Sequence, residues 1–398
     1  MPGFEVLGEE ERREIMDVLN KGVFFRYEFG DQRGGQWKVR QFEEALCRYT
    51  GAAHALAVSS GTAALKVALV GLGLGPGDEI ICPGFTFVAT WESIFDAGAE
   101  PVFAEVDETL GLDPTLIEEK ITDRTRAVVA VHMCGGQADI EAIADLAARR
   151  GLILIEDTAQ ALGARIGGRH LGAWGQCGCL SFDAVKTLTC GEGGAIITKD
   201  AGLAKTFSEF HDHGHDHAPV GRGNEGRRFA GLNYRMNELQ GALGLAQFKK
   251  LDQMLATQRE NKARLKAALA RAPGVSFRRL IDEAGDSATF ISWFHQTAQE
   301  AERFNAVLSE AGCGAVAWFK NTWHYYRNWE HLHQAKTCRR SDWPFVREDG
   351  RRLTYPPDAL PASDAVLSRC LSWQIMLNMS EESLCRMEEA ISRAAGAL

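Results

Sequence analysis

The sequence Ser181-Phe182-Asp183-Ala184-Val185-Lys186-Thr187-Leu188-Thr189-Cys190-Gly191-Glu192-Gly193-Gly194 places one lysine between two β-like runs. An interior lysine is costly to desolvate, and burial lowers the pKa of its ammonium towards that of a neutral, nucleophilic amine. Such an amine can form a Schiff base with an aldehyde cofactor. The glycines let the backbone approach a bulky ligand. From these residues alone, a lysine in a surface turn is an equally good interpretation.

Strand-like and helix-like segments alternate on the N-terminal side of this stretch. The predicted strands are 54–58, 79–82, 101–106, 127–132 and 152–155, and the predicted helices between them are 63–72, 90–96, about a dozen residues after Asp113, and 138–150. Repeated alternation of this kind is typical of a mostly parallel sheet covered by helices. We therefore predict an α/β fold.

Residues suited to a cofactor follow three of these strands. Gly61 and Thr62 lie in a small-residue turn that suits a phosphate, although an ordinary helix cap explains it too. Phe87 would stack on a planar cofactor or fill the core. Asp157 follows the fifth strand, at the edge where open α/β sheets bind ligands. Its carboxylate would pair with a cationic ring nitrogen or cap the next helix.

The length of 398 residues exceeds the size at which one hydrophobic core usually stops growing. We predict two domains, 1–255 and 256–398. A long helical pattern from Leu232 to about Leu269 is the predicted join.

Composition excludes several classes of protein. A net charge of −9 argues against a nucleic-acid binder. No apolar run approaches the roughly 18 residues of a membrane span, so no membrane association is expected. Because no signal peptide is recognised, the ten cysteines are expected to be reduced in a cytoplasm.

A histidine-rich segment, His211-Asp-His-Gly-His-Asp-His217, raises the question of a metal site. The surrounding glycines and Pro219 indicate a loop, and no Cys or Glu completes a ligand set. We therefore favour a polar loop that faces the substrate and expect no metal.

Five motifs, in register, resemble the DegT/DnrJ/EryC1/StrS family of sugar aminotransferases. They are 59–65, 83–90, 156–161, 181–194 and 233–236. The resemblance implies the fold type I of enzymes that depend on pyridoxal 5′-phosphate (PLP), with a smaller C-terminal α+β domain. It also implies a ping-pong reaction with L-glutamate as amino donor, and a homodimer with shared active sites.

The resemblance assigns roles residue by residue. Lys186 is similar to the Schiff-base lysine, and Asp157 to the partner of the pyridinium nitrogen. Gln160 resembles the residue beside the ring hydroxyl, and Phe87 the stacking ring. The phosphate would be bound by Gly61, Thr62 and Ser181, and by Asn233 of the neighbouring subunit.

Within the family, residues 1–4, 181–186 and 211–228 look most like the 8-amino-3,8-dideoxy-manno-octulosonate transaminases. Those enzymes aminate an oxidised 3-deoxy-octulosonate (Kdo) for lipopolysaccharide. The substrate residues would then be His213, His215, Arg222, Arg227 and Arg228, although solvent exposure explains these arginines nearly as well. Two alternatives remain: a nucleotide-linked ketosugar as the acceptor, or a PLP-binding module without catalysis.

Overall fold

The structure, a computed structural model, describes residues 2–220, 223–347 and 349–398. Short apolar runs rich in Val, Ile and Ala form its strands, and longer amphipathic segments form its helices. The strands are β1 His54–Val58, β2 Glu79–Pro83, β3 Glu100–Ala104, β4 Thr125–Val131, β5 Ile153–Asp157, β6 Arg165–Ile166, β7 Arg169–His170, β8 Cys177–Ser181, β9 Gly194–Thr198, β10 Ser276–Phe277, β11 Phe290–Phe294, β12 Val316–Ala317 and β13 Cys370–Gln374. The helices are α1 Pro2–Glu5, α2 Glu9–Lys21, α3 Lys38–Thr50, α4 Gly61–Gly71, α5 Ala89–Asp96, α6 Ile140–Arg150, α7 Ala201–Phe210, α8 Glu238–Phe248, α9 Leu251–Leu269, α10 Ala298–Glu310, α11 Glu330–His333, α12 Pro361–Leu367 and α13 Glu381–Ala395.

A seven-stranded sheet forms the centre of the molecule, in the order β1-β9-β8-β5-β4-β2-β3. The pairs β8–β5, β5–β4, β4–β2 and β2–β3 are parallel, whereas β9 is antiparallel to both of its neighbours. Helices cover the buried strands, as parallel strands require. The prediction of an α/β fold with a mostly parallel central sheet is confirmed.

A smaller antiparallel sheet, β10-β11-β13-β12, lies in the C-terminal part. It packs with α9, α10 and α13 around its own buried cluster, which includes Leu265, Trp293 and Leu371. The predicted boundary between 255 and 256 falls inside α9. The division into two domains at that point stays a prediction.

The aromatic segment after β12 packs against the large sheet as well as the small one, where the Trp318 Nε1–H donates to the Ser372 hydroxyl of β13 at 2.8 Å. Trp318, Tyr325, Tyr326 and Trp329 share one buried cluster with Phe85. Backbone hydrogen bonds reinforce this contact, since Thr86 N–H donates to the His324 carbonyl at 2.9 Å. The C-terminal part of the chain therefore reaches the edge of the large sheet where β2 ends.

Two helix predictions are wrong. The segment after Asp113 forms turns and one short 3-10 helix, Glu118–Lys120, which ends where Ile121 takes up an extended conformation. The long helix predicted from Leu232 divides into α8 and α9, which meet at Lys249 and Lys250.

Candidate active site

A cavity of about 530 Å³ opens where the parallel strands of the large sheet reach their carboxyl ends. Its wall holds every cofactor residue predicted from the sequence except Asn233, namely Gly61, Thr62, Phe87, Asp157, Gln160, Ser181 and Lys186. Residues far apart in sequence meet here because the carboxyl ends of β1, β2, β5 and β8 lie along one edge of the sheet.

One corner of the cavity suits an anion. Gly61 begins α4, and the N-cap residue Ser60 accepts a hydrogen bond from Ala63 N–H at 3.0 Å. A Cβ on Gly61 would lie 2.8 Å from the Ser181 Cβ, so only glycine allows the helix to start against β8. The unpaired N–H groups of the first helical turn, together with the Thr62 and Ser181 hydroxyls, can hold a phosphate.

Lys186 lies half-buried in the turn after β8, and its N–H donates to the Asp183 carbonyl at 3.0 Å. Its ammonium makes no hydrogen bond to any residue that the structure describes. Burial lowers the pKa of Lys186, and the nearby carboxylates of Asp157 and Asp183 oppose this effect only in part. The amine is thus free to act as nucleophile or base.

Asp157 ends β5 with its side chain buried. One carboxylate oxygen accepts a hydrogen bond from the Thr90 hydroxyl at 2.8 Å, and the other accepts from Ala159 N–H at 3.1 Å. Burial raises the pKa of Asp157, whereas these two hydrogen bonds and the charges of Lys186 and His132 act in the opposite direction. The two hydrogen bonds therefore fix the orientation of the carboxylate, and the nearby positive charges do not fully offset its burial. Such a carboxylate is suited to pairing with a cationic ring nitrogen.

The walls between these groups are aromatic and polar. Gln160 accepts a hydrogen bond from Cys134 N–H at 2.8 Å through its side-chain oxygen, which fixes the amide in the cavity wall. The Phe87 ring lies in the wall with its centroid 6.0 Å from that of Trp323, at an interplanar angle of 18°. A planar cofactor fits a cavity walled in this way.

Four further residues around the cavity were not singled out from the sequence: Thr90, His132, Trp323 and His324. His132 follows β4 directly, so the rule that located Asp157 at a strand end could have found it. Its Nε2 lies 3.1 Å from the Glu156 carboxylate, which also accepts three backbone hydrogen bonds. No local signal marks Trp323 and His324, because only the tertiary fold brings them to this edge.

Of the predicted substrate residues, the four that the structure describes lie outside this cavity wall, namely His213, His215, Arg227 and Arg228. His213, Arg227 and Arg228 are exposed, and Arg228 pairs with Glu209 at 2.9 Å. His215 is buried, with its Nδ1 2.8 Å from a Glu225 oxygen. Arg222 lies outside the described residues. The proposed contacts of this loop with a substrate stay predictions.

Asn233 is exposed at the surface, and its side-chain oxygen accepts a hydrogen bond from Arg235 N–H at 3.2 Å. Its predicted role at a neighbouring subunit's phosphate stays a prediction.

Neither a metal centre nor a membrane span is found in the part of the chain that the structure describes. No three His, Cys, Asp or Glu residues there are grouped as metal ligands, and no helix there is both long and apolar enough to cross a bilayer. All ten cysteines are described, and none forms a disulfide.

The residues present fit PLP. The cavity offers an amine without a hydrogen-bond partner for the aldehyde, a fixed carboxylate for the ring nitrogen, and a glycine-lined helix start for the phosphate. Fold and site together define a PLP-dependent aminotransferase of fold type I.

The chain belongs to the DegT/DnrJ/EryC1/StrS aminotransferase family, whose model matches residues 6–348. It is thus a PLP-dependent sugar aminotransferase, and the family recognised from the five motifs is confirmed.

Individual relatives support the assignment. The spore coat polysaccharide biosynthesis protein SpsC of Bacillus subtilis (strain 168) is 39% identical over 277 residues, which cover 68% of this chain and 69% of the relative. The GDP-perosamine synthase of Caulobacter vibrioides is 40% identical over 225 residues, covering 55% and 58%. The solved structure of an aminotransferase from Psychrobacter cryohalolentis superposes with a TM-score of 0.84 at 26% identity, covering 98% of this chain and 97% of that one.

Proposed function

We propose that this enzyme transfers the amino group of L-glutamate to the aldehyde of 8-oxo-3,8-dideoxy-manno-octulosonate. The product would be 8-amino-3,8-dideoxy-manno-octulosonate, for lipopolysaccharide. The observation that carries the reaction is the Lys186 amine, which lies in the same cavity as the Asp157 carboxylate, with its pKa lowered by burial. A PLP-binding module without catalysis is not favoured, because both residues are present.

In this proposal Lys186, Asp157 and Phe87 have separate roles. When bound, PLP supplies an aldehyde that takes up the amino group and a ring that draws electrons from the substrate's α-carbon. Lys186 would hold the cofactor through its amine and, once displaced, would act as the base and acid that takes the proton from the α-carbon of the donor and returns it. Asp157 would pair with the ring nitrogen and favour its protonated form, and Phe87 would pack on the ring. In the second half-reaction the same residues would carry out these roles in the reverse direction, on the acceptor.

The charge of the cavity wall favours a free sugar acid over a nucleotide-linked sugar. Lys186 is the only lysine or arginine among the described residues of the wall. A diphosphate is usually bound by several charged donors, and the described residues of this wall offer only Lys186, whose amine would be taken up by the cofactor. A sugar acid leaves its one carboxylate further out, where residues from outside the wall can meet it.

The N-terminal segment that favoured the Kdo-type substrate lies beside the catalytic lysine. Gly3 N–H donates to the Lys186 carbonyl at 3.1 Å. A Cβ on Gly3 would lie 2.9 Å from that oxygen, so this segment packs closely on the lysine turn. Residues that distinguish this subgroup thus touch the backbone that positions the amine.

The anionic end of the acceptor would be met by a second copy of the chain. His213, Arg227, Arg228 and Asn233 are exposed and absent from the cavity wall of their own chain. We propose a homodimer in which this loop reaches the neighbouring site. Gel filtration of the purified protein with light scattering tests this, because a monomeric active enzyme contradicts it.

The substrate test uses the aminated form of the holoenzyme. Glutamate should first remove the visible absorbance of the bound cofactor. Oxidised Kdo and GDP-linked 4-ketosugars are then added separately, and the acceptor restores the absorbance. We expect recovery with oxidised Kdo. Recovery with the nucleotide sugar alone would overturn the substrate and leave the reaction class standing; the relative named GDP-perosamine synthase favours that alternative.

A further inference from the structure

Trp323 is unusually exposed for a large aromatic residue. It is 62% exposed, yet it borders the catalytic cavity. Val185 and Val316, 42% and 37% exposed, border the same cavity. An exposed apolar patch of this kind indicates a binding surface, because isolated exposed apolar residues are common but a cluster at a cavity mouth is not. We call these three residues the cavity rim.

The backbone of the rim is fixed before any ligand binds. The Trp323 carbonyl accepts a hydrogen bond from Val88 N–H at 3.2 Å. The Asn321 side-chain oxygen accepts hydrogen bonds from the backbone N–H groups of Trp323 and His324 at 2.9 and 3.0 Å. The backbone that carries the indole therefore does not have to be ordered when a ligand arrives, which reduces the entropic cost of binding.

The Trp323 ring continues the aromatic wall outwards from the cofactor site. It stacks on Phe87, which we assign to the cofactor ring, with 6.0 Å between the ring centroids. A molecule that reacts beside Lys186 and extends towards the mouth passes this indole next. The rim is thus the outer part of the substrate path.

His324 supplies a polar group beside the rim. Its Nδ1 lies 3.0 Å from the Asn321 side-chain oxygen, so Nδ1 carries the proton and Nε2 is left as an acceptor. No described residue bonds that Nε2. Burial, with the Lys186 charge, lowers the pKa of His324 to about 4, so the ring is neutral near pH 7. A neutral imidazole nitrogen can accept a hydrogen bond from a sugar hydroxyl.

We propose that the cavity rim and His324 form the acceptor subsite, where the apolar C–H face of a pyranose packs on Trp323 and one hydroxyl bonds to His324. This inference rests on the proposed sugar-amination function and adds the residues that select the acceptor. The donor and the acceptor react at the same place, but glutamate is short and ends inside the cavity. Only the longer acceptor reaches the rim.

The test separates the two half-reactions of the holoenzyme. Trp323→Ala and Trp323→Phe are compared with wild type and with Leu19→Ala, a matched exposed apolar residue of α2 outside the cavity wall. For Trp323→Ala, the ratio of acceptor to donor kcat/KM should fall about tenfold, equivalent to about 1.4 kcal/mol. For Trp323→Phe, which keeps an aromatic ring, this ratio should fall less. Calorimetric binding of the amino-sugar product should weaken in parallel, and Leu19→Ala should match wild type.

Other outcomes overturn the inference in distinguishable ways. Equal losses of kcat/KM in both half-reactions would show that Trp323 has a general structural role and does not select the acceptor. A loss of dimer mass in gel filtration, with both half-reactions impaired, would show that a second copy covers the rim. If wild type uses an acceptor and Trp323→Ala uses it equally well, only the inference fails. If wild type uses neither acceptor, the proposed function fails and the inference with it.

Discussion

Thr90→Val tests whether a hydroxyl relay holds the cofactor's partner carboxylate. The Thr90 hydroxyl donates to Asp157 at 2.8 Å and lies 2.7 Å from the Thr86 hydroxyl. Both threonines are fully buried. Valine keeps the shape of threonine and removes only the hydroxyl, whereas Thr90→Ser keeps the hydroxyl and removes a methyl group.

The expected magnitude follows from the lost hydrogen bond. A hydrogen bond to a charged group contributes about 1.5–3 kcal/mol. Burial already raises the pKa of Asp157, and Thr90 opposes that rise. Without Thr90 the pKa rises further, because the ionised form loses its donor. At a given pH the carboxylate is then less ionised and pairs more weakly with the ring nitrogen, and cofactor affinity at neutral pH should fall about tenfold or more.

The assay is equilibrium titration of each apoenzyme with PLP between pH 5 and 9, followed by absorbance. Thr90→Val should bind more weakly, and its affinity should be lost at a higher pH than that of wild type as the solution is acidified. Thr90→Ser should follow wild type. If Thr90→Val and Thr90→Ser share one affinity and one pH profile, Asp157 does not depend on this donor and the reasoning is refuted.

Three further outcomes are expected. Lys186→Ala should abolish the glutamate half-reaction while the apoenzyme's melting temperature stays the same or rises, because it removes a half-buried ammonium that bonds to no residue the structure describes; Lys199→Ala, at an exposed site, is the control. Gly61→Ala should weaken PLP binding with the fold retained, because its Cβ would displace Ser181; titration measures it. Burial lowers the pKa of His170 to about 4, so the unfolded state binds more protons between about pH 6.5 and 4. The unfolding free energy in urea should therefore decrease as pH falls through that window, less steeply in His170→Gln.

Local patterns predicted the large sheet well because each of its strands is a short segment whose own apolar pattern indicates burial. The run 54–58 is shorter than a typical helix and is followed by a small-residue turn, which favours a strand, and the structure places β1 at the predicted residues. The helix expected after Asp113 is absent because the chain is already extended at Ile121, which leaves room for only the short 3-10 helix Glu118–Lys120.

The cavity residues on strand ends were predictable for the same reason that the sheet was. The carboxyl ends of parallel strands meet at one edge, so Gly61, Phe87 and Asp157 could be grouped from their order in the chain. Lys186 by itself was ambiguous between a surface turn and a nucleophile, and the resemblance carried by the five motifs assigned it to the cofactor.

The amino-acid sequence alone thus predicted the α/β fold, and its resemblance to a known family pointed to seven of the residues in the cavity wall. Only the tertiary structure brought Trp323 and His324 to the mouth of that cavity, through backbone hydrogen bonds to the segment after β2. It also showed that Arg227 and Arg228 lie outside the wall of their own chain. The physical reason is that strand ends are positioned by local periodicity, whereas contacts between distant segments depend on packing that no short stretch encodes.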